Sequence, residues 1–327
     1  MISSEKFQTF MIEKLKEKII TSIIFGACVF LFLSLYADLG QIKLAIPQFN
    51  WIYLPAIMTL ASSNYLIRFI KWDYYLKLIQ IDLSKKESLM IFLSGLVMSI
   101  TPGKFGEVLK SYLLKEVRRI PISSSAPVVL AERLTDLIAL VLLSTLGVFT
   151  FHYGGFLLLM SALVIFGSVM IISSQALSMR MIQLFDKIPF FSKHTQKVYN
   201  SYQRMYQLVT LKPLLIAIPL SLLAWLLESI GFSLILKGFS FPLPLKQSIF
   251  IYAFSIIAGA VTMLPGGIGV TEGSMAGLLI LVAKIPKSIA VVATLILRIC
   301  TLWFAVIVGA LSLRYLQGKF LVPPIET

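Results

Sequence analysis

Two stretches of this sequence set charges, prolines and glycines where an apolar run would otherwise continue. The first is Ser99-Ile100-Thr101-Pro102-Gly103-Lys104-Phe105-Gly106-Glu107, and the second is Met263-Leu264-Pro265-Gly266-Gly267-Ile268-Gly269-Val270-Thr271-Glu272. Both read Pro-Gly-x-apolar-Gly and then Glu, with two extra residues before the Glu in the second copy. Arg133 follows Glu107 by 26 residues and Arg298 follows Glu272 by 26, so acid and base both recur at an offset of 165. A shared offset predicts an internal duplication. The chemistry on offer is anion binding. A Gly-rich break that opens a half-helix aims unpaired backbone N–H groups outward, and Arg suits bidentate contact with phosphate. The candidate substrate contacts are Gly103, Lys104, Gly106, Glu107, Arg133, Asp136 and Glu228, with Gly266, Gly267, Gly269, Glu272 and Arg298.

The elements that must hold these residues are membrane helices. Of 327 residues, 58% are hydrophobic and 13% charged, and apolar runs long enough to cross a roughly 30 Å hydrocarbon core recur along the chain. The net charge of +14 sits in short segments between those runs, a topology signal, and nucleic acid is not expected as a partner. Cys28 and Cys300 both fall in apolar segments, so neither a disulfide framework nor a metal site is expected. No cofactor is expected either.

The reading is an all-α polytopic membrane protein, one integral membrane domain over 1–327. Six full spans are placed at about 19–37, 51–70, 126–150, 156–173, 214–236 and 288–313. The two broken elements, 88–114 and 248–283, are read as re-entrant helical hairpins. Trp72, Tyr74 and Tyr75 are read as an interfacial aromatic belt. In the polar stretch 175–212, Val198, Tyr202, Met205, Tyr206 and Val209 recur at helical spacing, which predicts an amphipathic helix on the membrane surface.

Charge placement sets the orientation. Lys85 and Lys86 precede the first break while Lys115, Arg118 and Arg119 follow it, and both clusters stay cytoplasmic only if the element dips in and returns. Of 29 Lys and Arg, only Lys43, Lys237, Lys246, Lys284 and Lys287 then fall outside, and both termini are cytoplasmic in the cell membrane. The second hairpin enters from the opposite face. The two repeats, about 45–151 and 210–316, are therefore expected to have inverted topology, as in secondary transporters. Irregular backbone at membrane depth needs protein or a water-filled cavity around it, so a central cavity is implied.

Glu107, Glu132, Arg133, Asp136, Glu228, Glu272 and Arg298 are placed at or near membrane depth, where an unpaired charge costs several kcal/mol. Arg133 and Asp136 share a helix face. The plainer use of these charges is a set of ion pairs, Arg133 with Asp136 or Glu107 and Arg298 with Glu272, that only lock helices together. The plainer use of the glycines is close helix packing, as at Gly273 and Gly277.

Asn64-x-x-x-Arg68 with Lys71-Trp72, Thr101-Pro102-Gly103-x-x-Gly106-Glu107, Glu132-Arg133-x-x-Asp136 and Pro265-Gly266-Gly267-x-Gly269-x-x-Glu272 together resemble the lysylphosphatidylglycerol synthase transmembrane-region family, or flippase-like domain family. The resemblance covers nearly the whole chain. It implies a membrane part that moves an aminoacylated phospholipid between leaflets, made in bifunctional members by a soluble C-terminal domain. This sequence runs to residue 327 without such a domain, so it is not expected to make the lipid itself.

The leading expectation is a flippase or transporter of an anionic or aminoacylated lipid, and the alternative is a secondary transporter of a small polar or ionic solute. A membrane enzyme acting on lipid-linked phosphate ranks lowest, since no His cluster, paired-Asp metal motif or nucleophile–base arrangement supports it. No P-loop is present for ATP-driven pumping. The expected partner is membrane lipid. A homo-oligomer and a separately encoded lipid-modifying enzyme are the protein partners the reading allows.

Overall fold

A computed structural model describes residues 26–32, 37–101, 105–148 and 195–320, with scattered positions at 21, 24 and 35 and between 159 and 167. The expected span at 156–173 therefore lies largely outside the described residues and that at 19–37 partly so, and Gly103 and Lys104 lie outside them. What is described is built from helices. These are α1 (Leu39–Ala45), α2 (Leu54–Leu78), α3 (Lys85–Gly95), α4 (Leu109–Arg118) and α5 (Ile122–Val148) in the first half. After α6 (Thr195–Leu208) come α7 (Leu211–Gly238), α8 (Leu245–Val261), α9 (Val270–Leu281), α10 (Lys287–Arg298) and α11 (Phe304–Phe320). A 3-10 stretch, Leu96–Ile100, extends α3, another, Phe105–Val108, leads into α4, and a π turn, Ile299–Trp303, joins α10 to α11.

By length and apolarity, Leu211–Gly238 and Lys287–Gly318 can each cross a membrane, and Leu39–Gln48 with Trp51–Leu78 is a third if that pair, bent by 66°, is one span. The 27-residue α5 is long enough but carries Glu132, Arg133 and Asp136 mid-helix. The apolar arms α8 and α9, 17 and 12 residues, are each short for a crossing. Two to three candidate spans thus stand among the described residues where six were expected along the whole chain.

Two sequence readings are corrected. Trp72 and Tyr75 are not an interfacial belt: both are fully buried, because α2 runs on to Leu78 and turns that face into the core. Gly273 and Gly277 are not packing glycines among the described residues, none of which comes within 4 Å of a Cβ built at either. The close approaches are elsewhere: at Gly309 against the backbone of Leu96 and Val97, and at Gly259 against Thr271. The predicted amphipathic helix exists as α6. Its Met205 and Leu208 are buried, and Ser201 Oγ donates to Ser123 O at 2.8 Å, so it packs on α5.

The two halves repeat their punctuation. At the end of α2, Gln80 (φ 60°) is left-handed, Gln80 N donates to Lys77 O at 3.0 Å and Ile81 N to Leu76 O at 2.9 Å. At the end of α7, Ser240 (φ 62°) does the same, with Ser240 N to Lys237 O at 3.0 Å and Phe241 N to Leu236 O at 3.0 Å. Both are Schellman caps, 160 residues apart. After α4, Arg119 (φ 56°) precedes Ile120-Pro121, and after α9, Lys284 (φ 56°) precedes Ile285-Pro286, 165 apart. The offset grows because the second hairpin is longer.

Helices α2 and α7, which open the two halves, pack antiparallel. Asn50 N donates to Gly238 O at 3.0 Å, a Cβ on Gly231 would sit 3.8 Å from Ile57 Cγ2, and Asn64 Nδ2 donates to Ala224 O at 2.8 Å. The contacts step by seven residues, the interval that returns a side chain to nearly the same face of a helix. Each hairpin also packs on the other half's closing helix: α8 on α5, and α3 with its 3-10 extension on α11.

Candidate functional site

The second break shows how the backbone makes the site. Gly266 (φ 59°), Gly267 (φ 67°) and Gly269 (φ 93°) all adopt positive φ, which a β-carbon opposes. They form tight turns, with Gly267 N to Leu264 O at 2.9 Å and Ile268 N to Pro265 O at 3.0 Å. Gly269 caps α9, and Glu272 reaches back from the third helical position to accept from Gly269 N at 2.6 Å. The other Glu272 oxygen accepts from Arg298 Nε at 2.5 Å, and Arg298 Nη2 donates to Gly266 O at 2.7 Å. One guanidinium thus ties the tip of the second hairpin to α10.

The first break is held by more charge. Glu107, beside Gly106 in the 3-10 turn, accepts from Arg133 Nη2 at 2.5 Å and lies 3.6 Å from Lys110 Nζ and 3.9 Å from Arg68. Lys110 also reaches Glu132 at 2.5 Å and holds its ammonium 4.5 Å from the Trp72 ring centroid. Its stem crosses Gly95, where a Cβ would come within 2.9 Å of Lys110 Cδ. Asp136 accepts from Lys71 Nζ at 2.6 Å and stands 3.6 Å from both Arg68 and Arg133. Lys71 completes its coordination with Ser221 Oγ at 2.7 Å and Thr135 Oγ1 at 3.3 Å. Buried charges persist only when paired and hydrogen-bonded in this way.

The two breaks meet. A Cβ on Gly266 would lie 3.4 Å from Ile100 Cα, so the tips touch backbone to backbone. Beside them is a cavity of about 250 Å³ lined by Arg133 and Asp136 from α5, Gly266 and Gly267 from the second tip, and Arg298 from α10. Its other walls are largely apolar, Leu137, Leu140, Trp225, Ile256, Met263 and Leu264 among them, with Thr271 the polar exception. Val261 and Met263, at the end of α8, are more than half exposed. The arrangement brings the two duplicated arginines to one space whose lining is otherwise mostly apolar. Among the described residues, no group of His, Cys, Asp and Glu could hold a metal ion.

A family model described as the lysylphosphatidylglycerol synthase transmembrane region matches residues 19–309. The chain belongs to this family. Among its relatives is a UPF0104 membrane protein of Methanocaldococcus jannaschii, 23% identical over 70% of this chain and 97% of its own length. A UPF0104 membrane protein of Methanothermobacter thermautotrophicus is 22% identical over 92% of this chain and 96% of its own. No solved structure matches.

Apart from Gly106, which sits in the 3-10 turn Phe105–Val108, the described candidate residues fall into three groups. Arg133, Asp136, Gly266, Gly267 and Arg298 line the cavity. Glu107, Gly269 and Glu272 stand behind them, fixing the arginines and the turn. Glu228 lies apart on α7, where the Tyr252 hydroxyl donates to it. Arg68, Lys71, Lys110 and Tyr252 were not among the candidates. For Arg68 and Lys71 a signal existed: Asn64, Arg68 and Lys71 are spaced four and seven apart, on one face of an apolar helix. Lys110 gave none, because it sits among the charges of a short polar helix.

Proposed function

We propose that the protein moves an anionic or aminoacylated phospholipid between the leaflets of the cell membrane. The observation that carries this is the convergence of Arg133 and Arg298 on a cavity whose remaining walls are largely apolar. Two guanidiniums at membrane depth suit a phosphate, and an apolar wall beside them suits the acyl chains that a lipid keeps in hydrocarbon. A small ionic solute has no use for that wall, which is why the solute-transporter reading ranks second. The antiparallel packing of α2 and α7 supports repeats of inverted topology, since these helices open corresponding halves.

The test is leaflet exchange of fluorescent phosphatidylglycerol in proteoliposomes. Exchange is expected with the intact chain and is expected to fall at least tenfold in Arg133→Gln and Arg298→Gln, since each loses a charge-assisted contact worth about 1.5–3 kcal/mol. Unchanged exchange in both variants, with normal folded yield, excludes the headgroup role. Uptake of a small anion without lipid exchange selects the solute reading.

Orientation is tested separately. Single cysteines at Lys86 and Arg118 are expected to react with an impermeant thiol reagent only from the cytoplasmic side. Arg118, held to buried Glu87 by two hydrogen bonds of 2.7 Å, brings the two ends of the first hairpin together. Labelling from opposite sides makes the first broken element a full span.

A further inference from the structure

Two arginines share one oxygen. Asp136 Oδ1 accepts from Lys71 Nζ at 2.6 Å and from Ser221 Oγ at 3.1 Å. Asp136 Oδ2 stands 3.6 Å from Arg133 Nη1 and 3.6 Å from Arg68 Nη2, too far to bond either, and is buried without a hydrogen-bond partner among the described residues. The same two guanidiniums converge on Glu107, Arg133 at 2.5 Å and Arg68 at 3.9 Å. They differ in where they lie. Arg133 lines the cavity with its side chain 22% exposed, whereas Arg68 is outside that lining and 7% exposed. We propose that Arg68 is a positioning residue, which takes over the carboxylates of Arg133 when Arg133 turns to the headgroup phosphate. This step rests on the lipid reading given above.

A guanidinium tied to buried carboxylates cannot grip a phosphate without stranding them, and a stranded buried charge is strongly unfavourable. Arg68 is placed to prevent that. Helix α2 is pinned on either side of it: Asn64, one turn before, donates to Ala224 O at 2.8 Å, and Lys71, one turn after, donates to Ser221 Oγ at 2.7 Å. Spacings of four and three keep the three residues on one face, so the backbone of Arg68 is fixed and only its side chain has to move. Neither its Nε nor its Nη2 has a hydrogen-bond partner, so no bond must break first. Closing on Asp136 Oδ2 from 3.6 Å to an ordinary hydrogen-bond length takes less than about 1 Å. Arg133 is held loosely enough to leave. Its one hydrogen bond among the described residues goes to Glu107, and its Nε has none. Arg298 is the contrast, since it donates both to Glu272 and to Gly266 O and so grips the second tip twice. Of the two duplicated arginines, Arg298 is the fixed arm and Arg133 the moving one.

The experiment measures binding of dihexanoylphosphatidylglycerol to the full purified chain in detergent by calorimetry, for the intact protein, Arg68→Gln, Arg133→Gln and the double variant. Arg68→Gln is expected to bind about tenfold more weakly than the intact chain. In the Arg133→Gln background the same change is expected to cost nothing further, because no guanidinium then leaves the carboxylates. A cation that only lends positive potential to the cavity, or only props α2 against α5, weakens binding equally in both backgrounds. Equal losses, or undiminished binding in Arg68→Gln, therefore overturn the exchange of partners and leave the lipid reading standing. A crystal structure of the intact chain with the same lipid bound decides the matter even where a variant does not fold. Arg133 is expected on the phosphate, with Arg68 at hydrogen-bond distance from Asp136 Oδ2. Bound lipid with both arginines in their present places overturns the proposal. Absence of any binding to the intact chain overturns both readings.

Discussion

Replacing Gly309 by alanine is expected to lower the thermal midpoint and the folded yield in detergent more than any other single methyl addition in the protein. A Cβ there would stand 2.8 Å from the carbonyl carbon of Leu96 and closer still to the amide of Val97. Both obstacles are backbone, so neither can swing away. α11 must lift off the 3-10 extension of α3, and overpacking of this kind costs about 1–3 kcal/mol. Gly277→Ala is the control. It lies in open space within α9, and replacing a helical glycine by alanine stabilises by roughly 0.5–1 kcal/mol. A fluorescence size-exclusion melt on both variants checks the contrast. Equal behaviour of the two would mean that the first hairpin does not rest on α11 as described.

Arg298→Leu should be the most damaging single charge substitution in the second half. It strands Glu272, which is fully buried, and takes the donor from Gly266 O. Breaking a buried pair from one side costs about 3–5 kcal/mol, much of it the penalty on the charge left behind. Arg298→Leu with Glu272→Gln should recover most of that loss, because glutamine is neutral and can still accept from the Gly269 amide. Folded yield measures the recovery, and the non-additivity gives the pair energy. Lipid exchange separates the two uses of the residue. If Arg298 only fastens the hairpin tip, the double variant regains exchange along with yield. If it also holds the headgroup, yield returns and exchange does not.

The duplicated residues were readable from the sequence because both halves keep the same acid, base and spacing. The structure pairs Glu107 with Arg133 and Glu272 with Arg298 at the same 2.5 Å. The sequence also located both breaks, since proline and clustered glycines can do little else inside an apolar run. It could not say what surrounds them. Trp72 and Tyr75 have the composition of an interfacial belt, and only the length of α2 and the placement of Lys110 beneath Trp72 make them core. Packing glycines were equally invisible. Gly273 and Gly277 have the small-x-x-x-small spacing and no described neighbour against a Cβ, while Gly309, which shares that spacing with Ala305, is the one pressed against backbone. Spacing records which face a residue occupies, and the identity of what lies opposite is a tertiary fact.

The matched halves also differ in how firmly each hairpin is fastened, and that difference bears on the resting state. At the offsets fixed by the paired caps, Arg68, Lys71 and Lys110 in the first half correspond to Glu228, Gly231 and Met275 in the second. Glu132 and Asp136 correspond to Leu297 and Thr301. The first hairpin is thus moored by a web of charges from α2, α4 and α5, and the second by one guanidinium. A perfectly two-fold molecule would be a symmetric rocker, idle at its midpoint and equally ready to tip either way. This one is ballasted: among the described residues, more charges fasten the first hairpin than the second.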